Sequence, residues 1–163
     1  MIEVVIDCSV MELVEWYYKM CCFDCGIEYD EDGIWMAVMR EKKYNPFLGQ
    51  CYTVCCAIKD LSNDGKQYHF CRTKDLEDIN HWWLESDMNI IDPTFLQYEL
   101  RDMPIPSTKS DDEYEKRGKM SYGSYQKKAD EFAKTLQKFI LNDKTRTKID
   151  KQEPPITLDR FFE

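Results

Sequence analysis

A chain of 163 residues, 43% hydrophobic and 13% aromatic, can bury the core of one compact domain and lies outside the composition of disordered chains. Its net charge of −9 argues against direct nucleic-acid binding and against adhesion to anionic membranes, both of which depend on basic side chains. No apolar run approaches the ~20 residues of a membrane span and the opening residues carry no secretory pattern, so the expectation is a soluble intracellular protein, cytoplasmic or nuclear, with its eight cysteines reduced.

In chain order, Ser9 and Glu12 have the spacing of a capping box ahead of a helical run through Leu13, Val14, Tyr17 and Cys21. Gly26 and Gly33 punctuate a loop, after which residues 34–39 are short, apolar and read as strand. Pro46 and Gly49 break the chain just before residues 50–59, a stretch of helical length and period, which places Cys51 at a helix N-terminus. Three β-type runs follow, over 67–72, 81–85 and 88–91, and suggest an antiparallel meander packed on that helix. Residues 107–119 are polar and read as a loop. Residues 125–141 form an amphipathic helix with Ala129, Phe132, Leu136, Phe139 and Ile140 on one face. The expected organisation is an α+β domain over 1–141, a flexible linker over 142–155 and a separate terminal peptide over 156–163.

A thiol attacks a carbonyl as thiolate, which a helix N-terminus or a neighbouring imidazolium favours. Cys51 has the first. The second must come from His69 or His81, the two histidines present. His81 starts one predicted strand and Asp92 ends the next, so antiparallel pairing would set the carboxylate beside the imidazole and fix its tautomer. Cys51, His81 and Asp92 are therefore the candidate nucleophile, base and orienting group.

The residues around these three carry a resemblance. Gly49-Gln50-Cys51-Tyr52 resembles the G-Q-C-W nucleophile motif of transglutaminases, His81 to Glu85 their H-x-W-x-E strand, and Asp92-Pro93-Thr94 their D-x-T strand, all in the family's order. The resemblance implies a papain-type, transglutaminase-like fold in which the nucleophile helix packs on an antiparallel sheet. It also implies cysteine-dependent acyl transfer on a protein or peptide carrying a carboxamide, by a protease, amidase or acyltransferase with no obligate cofactor. Tyr52 stands where those enzymes have Trp, and the chain is much shorter than the calcium-regulated cross-linking enzymes, so the resemblance reaches the superfamily and not cross-linking itself. Gln50, Trp35 and Tyr44 are the candidates for the oxyanion site.

Elsewhere, Cys22 and Cys25 have C-x-x-C spacing, but a second such knuckle is missing and no metal is expected; His69 reads as a surface or edge residue. Residues 156–163 resemble the peptide by which replication and repair proteins dock on DNA sliding clamps, with Leu158, Phe161 and Phe162 as anchors and Pro155 where that pattern has Gln. Such a peptide would bring an acidic protein to DNA without direct contact. The alternative is a non-catalytic clamp-binding adaptor on an inert scaffold of the same type.

Overall fold

The computed structural model describes the backbone of residues 6–108, 115–117 and 123–152 and the side chains of residues 6–108 and 124–143. The capping box at Ser9 forms as expected. The Ser9 hydroxyl accepts from the Glu12 N–H at 3.1 Å and the Glu12 carboxylate accepts from the Ser9 N–H at 2.9 Å, starting α1 (Val10–Asp24). Val10, Leu13, Tyr17 and Met20 recur at helical spacing and are buried. Glycine at position 33, in the left-handed region at φ 85°, then reverses the chain into α2 (Ile34–Lys42).

That second helix corrects the strand expected over residues 34–39. The helical period is visible in what the fold buries: Trp35 and Met39, four apart, face the core, while Ile34 stays 60% exposed. A short apolar run does not separate the two periods by itself, and packing against α1 chose the helix. Trp35 sits among Tyr18, Tyr29 and Phe47 in the aromatic cluster that joins these helices.

α3 (Cys51–Leu61) begins at Cys51, as the sequence suggested. A four-stranded antiparallel sheet follows, in the spatial order β3-β2-β1-β4, from β1 (His69–Lys74), β2 (Asn80–Glu85), β3 (Ile90–Ile91) and β4 (Glu115–Arg117). The register sets Thr73 opposite His81, His69 opposite Glu85 and Leu84 opposite Ile91. β1 is thus a central strand over Phe70–Arg72, where β4 pairs with it, and half-buried His69 stands one residue before that pairing. A short helix, α4 (Leu96–Glu99), lies between β3 and β4.

α3 packs on one sheet face. The Tyr52 ring stacks on Phe70 at 5.4 Å and meets Trp82 edge-on at 5.0 Å. On the far side of α3 lies α5 (Gly123–Gln152), which buries Ala129, Leu136 and Ile140. Leu136 and Ile140, both fully buried, contribute about 1.5–3 kcal/mol each. The architecture is mixed α+β, a helical layer against a small antiparallel sheet.

Two further expectations change. Residues 115–117 fall within the expected polar loop, yet they pair with β1 as an edge strand. Ladder hydrogen bonds need backbone groups only, and charged side chains are usual on an exposed edge. The C-terminal helix does not stop near Leu141 but keeps a helical backbone to Gln152, through most of the expected linker. Among the described residues no helix is long and apolar enough to cross a membrane. The clamp-type peptide, with Leu158, Phe161 and Phe162, lies outside the described residues.

Candidate active site

Cys51 occupies the first turn of α3 because Pro46 and Gly49 bend the chain immediately before it, with Gly49 at φ 75°. Gln50 is the N-cap residue, but no side chain caps the helix; the first helical bond runs from the Val54 N–H to the Gln50 carbonyl at 2.9 Å. The N-terminal amides of α3 therefore flank a half-buried thiol, and they carry the positive end of the helix dipole.

His81 is the second residue of β2 and is fully buried. Its ring lies against Trp83, two residues along the strand, with centroids 5.9 Å apart, and edge-on to Tyr98 at 4.9 Å. Asp92 leaves β3 one residue after Ile91, at a turn closed by the Phe95 N–H on the Asp92 carbonyl. The antiparallel pairing of β2 with β3 brings the two side chains together, and His81 Nε2 meets Asp92 Oδ2 at 2.8 Å.

Burial alone would push the imidazolium down, but the hydrogen bond it donates to Asp92, with Cys51 as the second contributor, more than offsets it. The net effect raises His81 from 6.5 to about 9, so the ring is cationic at neutral pH and Nε2–H donates to Asp92. Nδ1, the other ring nitrogen, is buried and has no hydrogen-bond partner. The Cys51 thiol is directed at the carbonyl of Asn80, the residue before His81, at 3.9 Å, the long end of a sulfur contact. The structure thus brings all three sequence-predicted residues to one place, with Asp92 and Cys51 both acting on the imidazole.

Sequence reasoning missed a fourth member. Ser107, in a 3-10 turn over Pro106–Thr108, donates its hydroxyl to the same Asp92 Oδ2 at 2.6 Å. Asp92 Oδ1 is buried with no partner, so this one oxygen carries both contacts. No spacing in the sequence links Ser107 to Asp92. Tyr98 was also overlooked: its hydroxyl donates to Asp75 Oδ2 at 2.9 Å, which fixes the ring that covers His81.

The oxyanion candidates separate. Gln50 is beside the thiol and exposed. Trp35 is buried in α2, and its aromatic neighbours are Tyr18, Tyr29 and Phe47, none of them in the triad. Tyr44 is 55% exposed and lines a small hollow with Arg40 and Arg101. A mostly apolar groove of about 480 Å³ opens on the Asp92 side, walled by Val14, Tyr18, Ile91, Phe95 and Ile105.

None of the eight cysteines is in a disulfide. Most are structural: Cys55 is wholly buried, with its sulfur 3.7 Å from the Trp82 carbonyl, and burial drives its pKa well up. Burial raises Cys22 to about 11, with Cys25 adding to it. No family model, curated protein or solved structure matches the chain.

Proposed function

We propose that the chain is a cysteine-dependent acyl-transfer enzyme of the transglutaminase-like, papain-type class, with Cys51 as nucleophile, His81 as proton carrier and Asp92 as the group that orients and charges the ring. The observation that carries the reading is the 2.8 Å contact of fully buried His81 with Asp92 beside Cys51 at the start of α3. A structural histidine of this burial is ordinarily neutral, because desolvation disfavours the cation. Here a carboxylate is placed so that the cation wins. A thiol at a helix N-terminus next to an imidazolium is the environment in which thiolates form.

The chemistry follows from those positions. Cys51 sulfur attacks the carbonyl carbon of a carboxamide, and the oxyanion develops against the uncapped amides at the α3 N-terminus, with Gln50 within reach of the same space. The carbon–nitrogen bond breaks as the His81 ring passes its proton from Nδ1 to the departing amine, leaving a thioester and a neutral imidazole. Water or a second amine then attacks the thioester. His81 takes the proton back, and the thiolate leaves. Asp92 stabilises the cationic ring in the resting and product states and, by holding Nε2, leaves Nδ1 as the nitrogen that exchanges the proton.

Alkylation tests this directly. At neutral pH, limiting iodoacetamide should modify Cys51 ahead of the other seven thiols, and His81→Ala should remove the preference. Even labelling of several cysteines in the folded wild type overturns the reading. The product formed from a glutamine-containing peptide, with and without a primary amine, then separates hydrolysis from transfer.

Recruitment to a DNA sliding clamp through Leu158, Phe161 and Phe162 belongs to the same proposal and is supported by the sequence pattern of residues 156–163 alone. It fits a chain too acidic to hold DNA directly. An adaptor without turnover would keep clamp binding and show no selective Cys51 alkylation.

A further inference from the structure

His69 and Glu85 face each other across the β1–β2 ladder, and Cys71 follows His69 by two residues, on the same face of the sheet. One donor atom from each, a ring nitrogen, the thiol sulfur and a carboxylate oxygen, lies within 4.8 Å of both others. Cys71 sulfur already stands 3.6 Å from Glu85 Oε2. Cys71 is buried while His69 and Glu85 are half-buried, so the cluster has a closed floor and an open side. Nε2 of His69 is buried and has no hydrogen-bond partner, an arrangement that costs about 1–3 kcal/mol unless something answers it.

We propose that His69, Cys71 and Glu85 form a zinc(II) site. Nitrogen, thiolate and carboxylate are the three donor types zinc takes, and three protein ligands with a fourth position open to water is an established pattern for it. Size agrees as well. With zinc–ligand bonds of about 2.0–2.3 Å, tetrahedral geometry sets ligand atoms about 3.3–3.8 Å apart. The sulfur–carboxylate pair is at that spacing, and the ring nitrogen needs to close by up to about 1.5 Å, which a turn of the half-buried side chain can supply. Coordination replaces the thiol proton of Cys71 with the metal and releases one proton to solvent.

The site is separate from the triad. Glu85 lies four residues beyond His81 on β2, about 13 Å along the strand. Its effect would be to clamp β1 to β2, the hairpin that carries His81.

Cobalt(II) provides the optical probe. Reduced, chelator-treated wild type titrated with Co²⁺ should develop a thiolate-to-cobalt charge-transfer band and tetrahedral d–d bands, saturating at one equivalent and displaced by Zn²⁺. Cys51→Ser should keep these bands, Cys71→Ser should lose the charge-transfer band, and His69→Ala or Glu85→Gln should weaken Zn²⁺ binding at least about tenfold. Bands that survive in Cys71→Ser, bands that vanish in Cys51→Ser, or the absence of saturable binding overturns the site. X-ray absorption of zinc-loaded wild type decides the matter even where a variant does not fold. One sulfur at about 2.3 Å with nitrogen and oxygen at about 2.0 Å supports the assignment; no sulfur, or two or more, rejects it.

Discussion

Ser107 and His81 meet at a single atom, Oδ2 of Asp92, from opposite sides of the carboxylate's role: one is a neutral hydroxyl 2.6 Å away, the other a buried ring 2.8 Å away. The second carboxylate oxygen is buried without a partner, so these two contacts alone hold the side chain in place among the described residues. On the proposed mechanism Ser107 is therefore a positioning residue, acting on the ring through Asp92.

Ser107→Ala should lower the rate of Cys51 acylation about tenfold with KM unchanged. A hydrogen bond to a charged group is worth about 1.5–3 kcal/mol, and urea melts should show a loss of that order. Stability lost without any change in rate would mean that His81 alone keeps Asp92 in register.

Asp92→Asn keeps the shape and removes the charge. Burial then acts on His81 with less opposition, and the ring pKa should fall from about 9 towards or below its ordinary 6.5. The chain holds two histidines, so a proton NMR titration with His69→Gln as the assignment control reads this directly. Turnover should drop by about 10²–10⁴-fold, the usual range for losing competent proton transfer. A histidine that still titrates near 9 would show that another group supplies the stabilisation.

Stability should fall as the solution becomes alkaline. The folded-state pKa of His81 is raised to about 9 against 6.5 unfolded. Its contribution is complete below about pH 6.5 and is lost as pH rises through 9, by a few kcal/mol at most. The thermal midpoint should therefore decline between these values in wild type and stay flatter in His81→Gln. Buried thiols such as Cys22, also raised, add to the loss only above about pH 9, where unfolded cysteines ionise. Turnover should share the alkaline limb, because the leaving amine takes its proton from the cationic ring, whereas alkylation of Cys51 should not.

Replacing Phe161 and Phe162 together with Ala should abolish binding to the host's sliding clamp while leaving the thermal midpoint within about a degree of wild type. Surface plasmon resonance on immobilised clamp measures the first and calorimetry the second. Unchanged clamp binding, or a domain that melts early, rejects docking by these side chains.

How much of this was legible in the sequence depends on the distance over which each signal acts. The α1 cap and the start of α3 were readable because Ser9 with Glu12, and Gly49 before Cys51, act within one turn of helix. The pairing of His81 with Asp92 was readable because the two lie on consecutive strands, where antiparallel geometry leaves little choice. α2 was misread because Trp35 and Met39 reveal their helical period only once α1 supplies a surface to bury them. β4 gave no apolar signal, since an edge strand is held by backbone bonds alone. Ser107 and the His69, Cys71 and Glu85 cluster depend on tertiary placement or on strand register, which local spacing does not encode. The Lys, Thr and Asp content after Leu141 reads as linker, yet the first Gly or Pro beyond Gly123 is Pro154, so no strong helix breaker stands before it.

That continuation changes what lies between the folded domain and the residues after it. From Ile140, the last fully buried position of α5 among the described side chains, to Gln152 the helix advances about 18 Å at 1.5 Å per residue. A slack chain of that length would let its far end sweep across the domain's own surface. A helix is instead a ruler with a heading: it fixes the direction in which residue 152 leaves the domain and the standoff at which anything bound beyond it is held. Under the proposed recruitment, the reach of the thiol towards a substrate held beyond the helix would be set by the length of α5, one turn at a time.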